Sequence, residues 1–152
     1  MLRFFEDYLE RQENLHRDFE AAISGLSVEA LDWAPGPDMN SLCVLVVHTT
    51  GAERYWIGEV AGGIPANRDR AAEFRARGLD EAALKQRLAD SRKFTRDLLE
   101  TFTWDSLGKE CFSPIRNETV TAGWALLHGQ AHTGLHTSHA QITRQLWDQR
   151  LR

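Results

Sequence analysis

Cysteine is scarce in this chain: there are two, Cys43 and Cys111, far apart and without CxxC spacing. That excludes a disulfide framework and fits a reducing cytosol. Long apolar runs are missing too, and nothing approaches the ~18 residues needed to span a bilayer. The first residues, Met1-Leu-Arg-Phe-Phe-Glu-Asp-Tyr-Leu-Glu10, are charged and helix-patterned, without the apolar region of a secretory signal. Positive charge is not in excess: 18 Lys and Arg stand against 22 Asp and Glu, for a net charge of −4. With neither a basic surplus nor a Lys/Arg cluster, nothing tracks a phosphate backbone. These lacks predict a cytoplasmic protein that engages neither membrane nor nucleic acid.

What is present is helical. The 152 residues, 42% hydrophobic and 26% charged, predict one domain over 1–152 with a single core. Leu2, Phe5, Leu9, Gln12, His16, Phe19, Ile23 and Leu26 recur at steps of three and four, which predicts a first helix with two polar residues in its inward stripe. Pro and Gly punctuate Trp33-Ala-Pro-Gly-Pro-Asp-Met-Asn40, so the chain turns there. A second helix, capped by Ser41 or Asn40, carries Leu42, Leu45, His48, Ala52, Trp56 and Glu59 along one side and runs to about residue 60. Residues 66–78 are polar and Arg-rich, and are expected to be exposed and mobile. A third helix is predicted over about 80–102 and a fourth over about 120–149. Between them lies an irregular stretch with room for a short hairpin at 110–120. The fold class is therefore all-α, an antiparallel-style four-helix bundle, with links long enough for a crossover.

Four of the six histidines fall within the last helix, at His128, His132, His136 and His139. On a helix turning about 100° per residue, these imidazoles share an arc of roughly 80°. Imidazole is the commonest metal ligand, and rings at i and i+4 lean the same way off one face. No Glu follows the first histidine, which excludes a zincin-type HExxH site. A single inward histidine is more often a hydrogen-bonded core residue; a ridge of four favours metal. His132 and His136 are the expected ligands. His48, at a stripe position among Leu45, Ala52 and Trp56, is the candidate third from another helix, since a buried imidazole without a partner is costly. Three ligands and an open position already make a reactive site, so His128, His139 and His16 are expected to line the pocket or support the ligands. They are candidate proton relays among which no sequence feature selects, and a solvent-facing or interface place is the alternative for His139. Trp56, Trp124 and Trp147 are expected to be core or interface aromatics.

Several segments resemble the DinB-like family of metal-binding four-helix bundles, near its bacillithiol- and mycothiol-dependent transferase branch. Leu26-Ser-Val-Glu-Ala-Leu-Asp-Trp33-Ala-Pro-Gly-Pro is similar to that family's "LS.E.L.W.P.PG". Asn40-Ser-Leu-Cys-Val-Leu-Val-Val-His48-Thr-Thr-Gly-Ala-Glu-Arg-Tyr-Trp56 is similar to "NS...LV.H....E.YW". The region 120–142 resembles the family's last helix, with "H...H...H...", though His136-Thr-Ser138-His139-Ala-Gln departs from the usual "HHxGQI" ending. The resemblance implies that His48, His132 and His136 bind a divalent transition metal, zinc or nickel. It further implies that a low-molecular-weight thiol, such as bacillithiol or mycothiol, is the partner in an S-transfer reaction, and that the protein is a homodimer. Fold is fixed better than reaction by such a likeness. Metal-dependent hydrolysis, a non-catalytic binding or stress protein stapled by metal, and a metal-free polar network are the alternatives.

Overall fold

The structure, a computed structural model, describes residues 1–150. Its long helices are α1 (Arg3–Ile23), α3 (Leu42–Glu53), α5 (Glu81–Leu99) and α7 (Ala122–Gln149). Shorter helices are α2 (Val28–Asp32), α4 (Arg70–Glu73) and α6 (Trp104–Gly108), and two strands, β1 (Glu110–Ser113) and β2 (Glu118–Thr121), pair antiparallel. The hairpin before the last helix is thus present, with Cys111 opposite Val120. Side chains fix several helix starts. Ser41 accepts from Val44 N at 3.2 Å, Asp80 from Ala83 N at 2.8 Å and Thr121 from Trp124 N at 3.1 Å, each satisfying an amide the first turn leaves unpaired. Gly25, at φ +71°, follows α1 in the left-handed region that most side chains avoid.

The four long helices form the expected bundle, and their neighbours reveal its order. α1 packs on α5 and α7, and α3 packs on those same two, while α1 and α3 face each other across a diagonal with little contact. Direction follows from which residues meet. Tyr8 Oη–H donates to Leu126 O, Thr137 Oγ1–H to Leu15 O and Arg144 to Ala22 O, so α1 and α7 run parallel. Gly25 N–H donates to Glu81 and Arg92 pairs with Glu20, so α1 and α5 run antiparallel. The bundle is therefore mixed rather than alternating. A chain that leaves α3 and must enter a parallel neighbour, α5, has to travel back the length of the bundle. Residues 62–80 make that return, and they pass over the histidine face.

α3 departs from a one-sided stripe: every residue from Ser41 to Thr50 is buried, because α2, α4, α5 and α7 all pack around it. After Glu53 the helix widens into a π-helix, Arg54–Ala61, closed by Gly62 N–H to Ile57 O at 3.1 Å. Such widened turns frequently mark functional sites.

The core is split. One apolar cluster gathers Phe5, Tyr8, Leu9, Trp56, Ile57, Leu99 and Leu126; another gathers Phe19, Ile23, Leu31, Leu42, Leu45, Leu84 and Leu88. Between them lie Gln12, His16, Glu53, Thr95 and Thr133, all buried. Glu53 is the hub of this polar layer. Its Oε1 accepts from His16 Nε2 at 2.7 Å and Thr133 Oγ1 at 2.8 Å, and its Oε2 accepts from Ser91 Oγ. One carboxylate thus joins all four long helices. Burial pushes the Glu53 carboxyl up, but the charge of His16 and these three hydrogen bonds outweigh it and hold the pKa at about 2.

Candidate metal centre

α3 supplies one imidazole to the face and α7 supplies two, one helical turn apart. His48 Nε2 and His136 Nε2 each lie 3.2 Å from His132 Nε2, and the ligating atoms of all three fall within 4.8 Å of one another. Four nitrogens set tetrahedrally around an ion at about 2.1 Å would stand roughly 3.4 Å apart, close to the two short separations. Burial, then the charge of neighbouring histidines, drives His132 down to about 3 and His136 to about 4. Both rings are therefore neutral at physiological pH and offer lone pairs. Three imidazole nitrogens crowded on one point are a donor set that suits a divalent transition metal. The residues fit the ion.

The remaining candidates are placed differently from one another. His139 Nδ1 stands 3.3 Å from His136 Nδ1, so it touches a candidate ligand directly. His128 is stacked on Trp124, at 4.8 Å and 8°, and meets Trp56 edge-on. Burial, then the charge of Arg116, lowers its pKa. His16 lies in the bundle interior against Glu53. Trp56 is buried beside the face, Trp124 is partly exposed, and Trp147 packs on Trp33 at 5.5 Å.

Two residues that sequence reasoning passed over complete the arrangement. Glu73 Oε2 lies 3.0 Å from His48 Nδ1, and Arg68 grips both Glu73 oxygens through Nε and Nη2 at 2.7 Å. The His48 Nδ1–H donates to this carboxylate, which leaves the Nε2 lone pair facing His132. A carboxylate fixing the tautomer and tilt of a ligating imidazole also raises its basicity. Burial raises the Glu73 carboxyl, yet hydrogen bonds from His48 and Arg68 and the Arg68 charge prevail and lower its pKa, so it stays ionised.

Both residues belong to the segment expected to be exposed and mobile. Most of that segment is exposed, as expected, but Glu73 is buried, Phe74 lies 4.6 Å from the His48 ring and four of its residues form α4. Its polarity is used internally: Arg68 pairs with Glu73, Asp69 caps α4 at Ala72 N, and Glu59 accepts from Ala66 N. Asn67, at φ +48°, turns the chain between them. Gly51 allows this docking, because a Cβ there would land on the Glu73 carboxylate.

Glu73→Gln removes the charge while keeping the shape, and should weaken metal affinity about 10- to 100-fold. Competition with a chromogenic chelator would measure it. An unchanged affinity would mean that Glu73 does not tune His48.

The sequence profile of the DinB superfamily matches residues 12–140. No curated protein matches the chain in sequence. Solved structures do in shape. A conserved protein from Enterococcus faecalis shares 18% identity at a TM-score of 0.76, covering 96% of this chain and 98% of that one. YfiT from Bacillus subtilis, described as a probable metal-dependent hydrolase with an unusual four-helix bundle topology, shares 15% at 0.74, covering 95% and 89%. A mycothiol-dependent maleylpyruvate isomerase shares 15% at 0.63, covering 91% of this chain but 62% of the isomerase.

Proposed function

This chain belongs to the DinB superfamily, and from that membership and the site's geometry we propose that it is a metal-dependent enzyme joining a low-molecular-weight thiol, as its thiolate, through sulfur to an electrophilic carbon, with the electrophile's leaving group expelled. The observation that carries the reading is the convergence of His48, His132 and His136 with no fourth His, Cys, Asp or Glu joining them among the described residues. Closed structural zinc sites generally have four protein ligands rich in cysteine; three leave a position for a reactant. Zinc or nickel held there would lower the pKa of a bound thiol or water, supplying a nucleophile near neutral pH.

The chain's own residues do the rest. Glu73 and Arg68 hold His48 in one tautomer. Phe74, packed on His48, and Trp56, packed on His128, flank the histidine face with apolar surface that limits water. His128, kept neutral, can accept a proton at the rim. A thiol as reactant is supported by the likeness to the mycothiol-dependent isomerase. Water as reactant, giving hydrolysis of an amide or similar bond, is the second reading, supported by the description of YfiT.

The test offers monochlorobimane with bacillithiol, mycothiol, glutathione or cysteine to metal-loaded and chelator-stripped protein. Conjugation that requires metal, and one thiol above the others, is the expected result. No metal-dependent conjugation with any thiol would remove the transferase reading, and amide hydrolysis would then be assayed.

A further inference from the structure

Two cavities adjoin the histidine cluster, and they differ in kind. Arg68 Nη2 approaches the Nδ1 edge of His48 at 3.3 Å and lines a cavity of about 500 Å³ with Tyr55, Asn67 and Arg70. That cavity offers cations and hydrogen-bond donors. His139, 3.3 Å from His136, lines a smaller cavity of about 270 Å³. Its apolar walls are Met39, Leu45 and Ile142, and among the described residues no Lys or Arg lines it.

Helix periodicity sets this second cavity beside the metal centre. Leu45 stands three residues before His48 on α3, and Ile142 three after His139 on α7, so each shares a face with its histidine. The turn before α3, pinned by Met39 N–H to Gly36 O at 3.1 Å, supplies the remaining wall. Leu45 is buried, but Met39 and Ile142 are 45% and 49% exposed. An apolar ligand seated between them would take that surface from water. Besides His139, the polar groups at the rim are Asn40, Thr143 and the acidic Asp38. Arg144, two residues past Ile142, is committed to Ala22 O, Ser24 O and Asp148. An anion placed here would lose its water and find no guanidinium or ammonium in exchange.

We propose that this cavity holds the second reactant and selects a small, uncharged, largely apolar electrophile, charged groups being left to the Arg68 side. The proposal rests on the thiol-transfer reading and adds the substrate class. A volume below the ~300–1,000 Å³ of drug-sized sites limits the electrophile to about one substituted ring or a short chain. Seated on Leu45, it lies one helical turn from His48. In the reaction the thiolate sulfur bonds to the electrophilic carbon as that carbon's bond to the leaving group breaks. The leaving group departs with the electron pair of the broken bond.

A chloronitrobenzoate anion and its neutral methyl ester, chlorine ortho to the nitro group in both, separate the two charge classes on one ring. With metal-loaded protein and the thiol it prefers, conjugation relative to the uncatalysed rate should favour the ester by about tenfold or more. Ile142→Arg, at an exposed position, should keep the wild-type metal content and bring that preference close to unity. Gln141→Arg adds the same charge outside the cavity and should leave the preference intact. Binding is read separately, by ligand-observed NMR on chelator-stripped protein with methyl nitrobenzoate, which has no leaving group. The wild type should bind it, and Ile142→Arg about tenfold more weakly. An equal or reversed preference in the wild type would overturn the proposal. So would a preference that Ile142→Arg leaves intact or Gln141→Arg changes as much, or ester binding indifferent to Ile142→Arg. Absence of conjugation with both chlorides would instead remove the transfer reading, and the binding measurement alone would then decide whether the cavity takes a neutral apolar ligand.

Discussion

Replacing Glu53 by alanine should be among the most damaging single changes in the bundle, costing about 3–5 kcal/mol. The carboxylate is fully enclosed and receives His16, Ser91 and Thr133 from three different helices. Removing it strands the His16 imidazole in the layer between the apolar clusters and takes an acceptor from Ser91 and Thr133, and a buried unpaired polar group is penalised. For a domain of this size, such a loss corresponds to roughly 6–20 °C in thermal midpoint, readable by circular dichroism. Glu53→Gln keeps an acceptor in place and should cost less. The pH dependence has a definite sign. The folded pKa of about 2 lies below the usual 4.5, so the contribution of Glu53 is complete above about 4.5 and fades as pH falls from there through about 2. Wild type should therefore lose stability more steeply than Glu53→Gln across that acid window. Equal slopes would show that the ionised form is not what the layer selects.

Metal binding should register as stability, because an unfolded chain offers no converged histidines. With free metal at about a thousand times its dissociation constant, the folded state gains about 4 kcal/mol. At roughly 2–4 °C per kcal/mol, zinc or nickel should raise the midpoint of stripped protein by about 8–16 °C. His132→Ala should abolish that rise, since His132 is the ring that both other ligand candidates face at 3.2 Å. His128→Ala should keep it, because His128 contacts Trp124 and Trp56 rather than the cluster. A rise of the same size in the His132→Ala variant would move the ion elsewhere.

The helices and the three clustered histidines were legible because both are periodic. His132 and His136 announce themselves by spacing within one helix, and His48 by an imidazole in an apolar stripe. Glu73 carries no such signal. It sits among arginines and aspartates in a segment whose composition reads as solvated, and only the path of the chain shows that these charges pair internally. That path follows from α3 and α5 being parallel neighbours, which requires the connection to run back over the histidine face. Helix direction is not encoded in periodicity. Glu53 was half visible, as the Glu of a segment resembling "E.YW" and as an acid inside an apolar stretch, but its partners lie on three other helices. His16 was legible as a polar residue facing inward. Its partner, Glu53 in the bundle interior, was not.

The most direct measurement is the metal content of protein purified without a histidine tag, beside His132→Ala/His136→Ala protein treated alike. The geometry predicts about one zinc or nickel per wild-type chain and almost none in the double variant, with both proteins folded. Stoichiometric metal retained by the double variant, or a wild type that binds none when zinc and nickel are supplied, would contradict the metal centre itself.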